Sequence, residues 1–277
     1  AAVGASLAGM KPIVVHPRMD FMLYAMDAIV NQAAKWSHML GGQVHPGVTI
    51  RSIINRGGEQ GAQHSQALHA WFAHVPGLRV VMPTTVADAR DLLIASVLCN
   101  DPVMYIDDRW LYDQEDELPP VIELDLATQR PEISVIGSDV TIVASGHASL
   151  LAREAEKLLK CENISAEVID VRVLNPFHVE DIIKSVKKTE NLLVVDSGWV
   201  SGGFSAEIIA KVVERLPVDC LNSPPVRIAL PDAPAPTSRV LEETYYTSTK
   251  DVINAVRKII LDSYLDSYNK RKSQHRA

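Results

Sequence analysis

The chain has 277 residues, enough for two domains of about 100–200 residues, each with its own core. Apolar residues make up 47% and charged residues 22%, which argues against a disordered or fibrous chain. With 27 Lys plus Arg against 34 Asp plus Glu the net charge is −7, the wrong sign for a protein that grips nucleic acid by neutralising phosphates. No apolar run reaches the length of a membrane span, and no basic stretch precedes the apolar start. A cytoplasmic setting, or an organelle matrix such as that of a mitochondrion or plastid, is therefore expected.

The first residues read as the second half of a Gly/Ala-rich helix feeding a strand at 13–15, and an element with nothing ahead of it suggests a truncated start. A helix is expected over 21–40, where Met22, Met26, Ile29, Ala33 and Trp36 recur at three- and four-residue spacing and Gly41-Gly42 supplies the stop. Val- and Ile-rich runs at 48–54, 79–82 and 103–106 read as further strands, with helical periodicity between them. Thr85, with Asp88 three residues on, is a variant capping box that should start a helix ending near Cys99. This alternation predicts an α/β fold with a parallel sheet.

From Asp107 to Ile133 the pattern gives way to acidic, Pro-containing text, read as the end of a first domain (1–120) and a linker (121–133). The alternation resumes in a second α/β domain (134–265). Its strands are expected at 140–144, 166–171, 192–196 and 226–230, and its helices at 149–160, 178–187, 203–215 and 250–264. A basic tail, 266–277, closes the chain. Cys99, Cys161 and Cys220 are odd in number and at least 59 residues apart, so neither a disulfide framework nor a CxxC site is available.

The Gly-rich loop NRGGEQGAQHSQ, residues 55–66, follows a strand and precedes a helix, the position at which open α/β sheets bind ligands. Its glycines fit neither GxGxxG nor a Walker A loop, so it is either a ligand loop of another kind or a turn that needs positive φ. His64 lies in it beside Gln63, Ser65 and Gln66, which could fix its tautomer; the alternative is a solvated or backbone-bonded ring. His64, His69 and His74 recur every five residues and so do not share a helix face, which disfavours a zinc site. Ser65, His64 and Asp88 form a triad only on paper, without a GxSxG elbow. Ser145-Gly146-His147 and Asp196-Ser197-Gly198-Trp199 read as ligand loops or, equally, as ordinary turns into helices.

Six segments, GASLAGMKPIVV, FMLYAMDAIVNQAAK, GAQHSQALHAWFAHVPGLRVVMPTTVADARDLL, DVTIVASG, VIDVRVLNPF and DSGWVSGGFSAEI, carry a resemblance. Together they resemble the β subunit of the thiamine-diphosphate-dependent decarboxylase component of 2-oxo acid dehydrogenase complexes, within the transketolase-like superfamily. The resemblance implies a partial, parallel-sheet pyrimidine-binding domain followed by an α/β domain of the transketolase C-terminal type. It implies thiamine diphosphate at a subunit interface, with the diphosphate and magnesium held mainly by a partner α subunit. Phe21 would stack on the aminopyrimidine ring, Gln63 would lie at the cofactor, and His64 would stabilise developing charge and handle protons.

Potassium near 103–108 is a further implication, as are an α₂β₂ assembly with a second β subunit and a lipoyl-bearing acyltransferase core, on which the basic tail could dock. Pyruvate is the first expected substrate, with branched-chain 2-oxo acids and acetoin open. The family's activating Glu belongs to a segment upstream of Ala1. Two alternatives therefore stand: a single-chain transferase of the transketolase or deoxyxylulose-phosphate synthase type, and a non-catalytic subunit lacking that Glu.

Overall fold

The computed structural model describes the backbone of residues 1–274 and the side chains of residues 1–265, so the expected basic tail, 266–277, lies outside the residues whose side chains are described. In chain order the elements begin with α1 (Ala2–Leu7), β1 (Ile13–His16), α2 (Met19–Met22), α3 (Ala34–Met39), β2 (Thr49–Ile54), α4 (His69–Ala73), β3 (Arg79–Val81), α5 (Val86–Leu98) and β4 (Val103–Asp108). They continue with β5 (Glu132–Val135), β6 (Val140–Ala144), α6 (His147–Lys160), β7 (Ala166–Asp170), β8 (Val173–Asn175), α7 (Glu180–Thr189) and β9 (Leu192–Trp199). The last are α8 (Phe204–Val213), β10 (Val226–Leu230), α9 (Arg239–Tyr245) and α10 (Thr249–Gln274). Among the described residues no helix is long and apolar enough to cross a membrane.

The chain divides into two compact units. The first comprises Ala1–Arg130 and two later excursions, Arg172–Phe177 and Ala233–Tyr245. Its sheet has the order β1-β2-β4-β3-β8, parallel except for β8, which pairs antiparallel with β3. All six residues of β4 are buried, as a parallel strand covered on both faces requires. Val81, Leu92, Val103, Tyr105, Leu126 and Val173 close the core on the α5 side. Thr85 and Asp88 form the expected capping box: the Thr85 hydroxyl accepts from the Asp88 backbone N–H at 3.0 Å, and the Asp88 carboxylate accepts from the Thr85 N–H at 3.2 Å.

The single helix expected over 21–40 is not uniform. α2 passes through a 3₁₀ turn (Leu23–Ala25) into π-helical turns (Asp27–Ala33) before α3. The wider π turns change the pitch in mid-stripe, so Met22, Ile29 and Ala33 are buried while Met26 and Trp36 are only half-buried.

The second unit comprises Pro131–Val171, His178–Asp232 and the chain from Tyr246 onward. Its sheet has the order β10-β9-β6-β7-β5, with β5 antiparallel on β7. α6 and α10 lay Ala152, Ala155, Leu159, Val252 and Val256 onto Ile142 and Val168 in one cluster. Each fully buried Leu, Ile or Val there contributes about 1.5–3 kcal/mol.

Candidate functional site

β2 delivers the chain to a glycine-rich loop, residues 55–68, and α4 takes it away. Gly57 and Gly61 have positive φ, 73° and 70°, and both positions are crowded. A Cβ on Gly57 would lie 2.6 Å from the Trp110 ring, and one on Gly61 would lie 2.6 Å from Thr237 Oγ1. The loop therefore follows a path that only glycine permits at these two points.

The root of the loop is fastened to the end of β4. Arg56 and Asp108 form an ion pair with side chains only 4% and 1% exposed, and the Arg56 guanidinium lies 4.9 Å over the Trp110 ring. Arg109 donates to the Asn55 side-chain oxygen at 3.2 Å. Farther along, the Glu59 backbone N–H donates to both carboxylate oxygens of Glu242, at 3.0 and 3.2 Å, although the residues are 183 positions apart. Glu242 is buried, and its removal takes away the acceptor of that N–H. Glu242→Ala is expected to cost about 1.5–3 kcal/mol, the range for a hydrogen bond to a charged group. A shift in the urea midpoint at unchanged slope would measure it.

The remainder of the loop is held by four consecutive residues that run into the first turn of α2. Arg18 donates to the Gln60 side-chain oxygen at 2.7 Å. The Leu68 backbone N–H donates to Met19 Sδ at 3.0 Å. Asp20 Oδ1 accepts from both the backbone N–H and the side-chain amide of Gln66, at 3.1 and 2.9 Å. The Phe21 ring meets the His64 imidazole edge to face, with centroids 5.2 Å apart and planes at 84°.

The structure thus brings Phe21 and His64 together. Phe21 is 48% exposed and His64 half-buried, so an accessible aromatic ring lies beside a partly sheltered imidazole. Gln63 is exposed next to them on the loop. Asp20 carried a weak sequence signal, an acidic residue in a first helical turn; Glu242 and Thr237 carried none.

Other sequence candidates take structural places. His69 is fully buried and His74 exposed, so the three histidines occupy different environments. Asp88 is held by Thr85 and, at 2.9 Å, by Arg172, while Ser65 is buried. Gly146, with φ 55°, starts α6. The Asp196 carboxylate accepts from the backbone N–H groups of Gly198 and Ser205, at 2.9 and 2.8 Å, and so caps α8. Among the described residues no three His, Cys, Asp or Glu side chains are grouped to hold a metal ion.

A separate cavity of about 460 Å³ opens on the α5 side of β4, lined among others by Arg51, Thr85, Tyr105, Asp107 and Tyr112. Burial, together with the neighbouring Asp107 carboxylate, pushes the Tyr112 hydroxyl well above its ordinary range. It stays protonated and donates to Asp107 Oδ2 at 2.8 Å, alongside the Arg51 guanidinium.

Two family models match this chain. The pyrimidine binding domain of transketolase matches residues 1–114, and the C-terminal domain of transketolase matches residues 130–252. The β subunit of the pyruvate dehydrogenase E1 component from Rhizobium meliloti is 35% identical over 257 residues, covering 93% of this chain and 56% of that protein. Its mitochondrial counterpart from Dictyostelium discoideum is 36% identical over 264 residues, covering 93% of this chain and 73% of that protein. The chain therefore spans about half to three quarters of the length of these relatives. Among solved structures, an inactive β4 tetramer of a split-gene transketolase superposes with a TM-score of 0.78 at 24% identity, over 95% of this chain and 80% of that one, which is a likeness of fold.

Proposed function

The chain belongs to the family of pyruvate dehydrogenase E1 component β subunits, and from that premise we propose that it provides the pyrimidine-facing half of a thiamine diphosphate site, completed by an α subunit. The assembly would decarboxylate a 2-oxo acid, pyruvate first, and pass the acyl group to a lipoyl arm. The contact between Phe21 and His64 carries this reading, because it sets an exposed aromatic ring beside a group able to move protons.

The residues fit a planar heteroaromatic cofactor. Phe21 offers the uncovered part of its ring for stacking, with the His64 ring in T-shaped contact beside it. Thiamine diphosphate, when bound, supplies the carbanion chemistry. In this reading His64 would hold or deliver a proton at an imidazole nitrogen and stabilise negative charge as it develops on substrate. Gln63, exposed beside it, would complete the polar wall. The diphosphate and its magnesium are assigned to the α partner. Potassium, the second β subunit and the acyltransferase core belong to the same proposal, as does a cytoplasmic or organelle-matrix setting.

Phe21→Ala is expected to weaken thiamine diphosphate binding by about tenfold, the loss of one aromatic stacking contact. Because the ring is half-exposed, folding should be little affected. Titration of cofactor into the α–β complex, followed by intrinsic fluorescence, measures the affinity.

The reading as a whole is tested by co-expressing the chain with its α subunit and following 2-oxo-acid-dependent reduction of an artificial acceptor, with and without thiamine diphosphate and magnesium. Cofactor-dependent turnover of pyruvate supports it. Failure on every 2-oxo acid, together with ketol transfer between sugar phosphates, would overturn it.

A further inference from the structure

We propose that Asp20 is the positioning residue for His64, acting through Gln66. Three successive residues of α2, Met19, Asp20 and Phe21, engage loop residues spaced by two: Leu68, Gln66 and His64. Two of these contacts are soft, a thioether accepting from an N–H and an aromatic edge contact. The middle one is a carboxylate oxygen that takes two N–H groups of the same residue, at 3.1 and 2.9 Å, two positions after His64. Hydrogen bonds to an ionised acceptor are about twice as strong as neutral ones, so Asp20 is the stiff point of the grip.

The burial of Asp20 points the same way. The residue is 6% exposed, and its second carboxylate oxygen is buried without a hydrogen-bond partner among the described residues. A half-satisfied buried carboxylate opposes folding. An asparagine oxygen could accept the same two bonds without the charge. Asp20 thus holds the loop at some cost in stability, the pattern of a residue placed for function.

Asp20 has this role only if His64 acts on substrate, as proposed above. The test uses the α–β complex with thiamine diphosphate bound. Asp20→Ala should expose the Gln66 backbone amide to hydrogen exchange and lower kcat on pyruvate by about tenfold or more, since misplacing a catalytic group by about 1 Å can cost 10²-fold. KM and cofactor affinity should stay close to wild type. Asp20→Asn, which keeps the acceptor oxygen, should restore both the exchange protection and most of kcat. In a His64→Ala background, Asp20→Ala should have no further effect on kcat, because a residue that acts through another has nothing left to position.

Wild-type kcat in Asp20→Ala with the Gln66 amide exposed, or an Asp20→Ala loss undiminished in the His64→Ala background, would overturn the positioning role while leaving His64 in place. Wild-type kcat in His64→Ala alone would instead overturn the role of His64 itself.

Discussion

His64→Ala is expected to lower 2-oxo acid turnover by about 10²-fold or more, the contribution typical of a positioned acid–base group, and to leave thiamine diphosphate affinity nearly unchanged. The two effects separate because the loop is not held by the imidazole. Its fastenings are the Gln66 bonds to Asp20, the Leu68 N–H on Met19, the Glu59 N–H on Glu242 and the Arg56–Asp108 pair, none of which includes the His64 side chain. Phe21 would lose one edge contact but keep its place in the first turns of the helix. Steady-state kinetics on pyruvate checks the prediction. A histidine that only packs against Phe21 would leave turnover near wild type.

The elements that were legible in the sequence owe their form to local chemistry. β4 and β6 are rich in apolar residues and buried along their whole length because both faces are covered, and α5 begins at a Thr–Asp box whose two hydrogen bonds span three residues. The loop that carries the candidate site was legible in the same way, as a glycine-rich turn after a parallel strand. Its supports were not. β8 is three residues long and reaches the first sheet from beyond β7, and the segment carrying Thr237 and Glu242 returns to the loop from about 180 residues away. No periodicity records such contacts, because they depend on where the chain returns and not on its neighbours. The π turns after α2 escaped for a related reason: Met22, Met26, Ile29 and Ala33 match a regular helix, and the change of pitch is resolved only by packing.

The largest expected effect on stability lies at the root of the same loop. Asp108→Ala leaves the Arg56 guanidinium buried without its counter-charge, and breaking one side of such a pair costs about 3–5 kcal/mol. The setting supports the upper part of that range. The Arg56 side chain is 4% exposed, its Nε has no hydrogen-bond partner among the described residues, and Asp108 also accepts the Trp110 backbone N–H at 3.1 Å, so one truncation takes an acceptor from two donors. Trp110 in turn fills the space against Gly57, which couples the pair to the path of the loop toward His64. Against a total stability of about 5–15 kcal/mol, such a loss should bring the urea midpoint down sharply. Replacing both partners, Arg56→Met with Asp108→Leu, should recover most of it, because a buried pair is worth little more than well-packed apolar groups of similar volume. Turnover should not recover with it: the double variant restores burial but not the Asp108 carboxylate that holds the Trp110 N–H and fixes where the loop begins. A folded, slow double variant would show that this pair serves the geometry of the loop more than the stability of the fold, and full recovery of both would show the reverse.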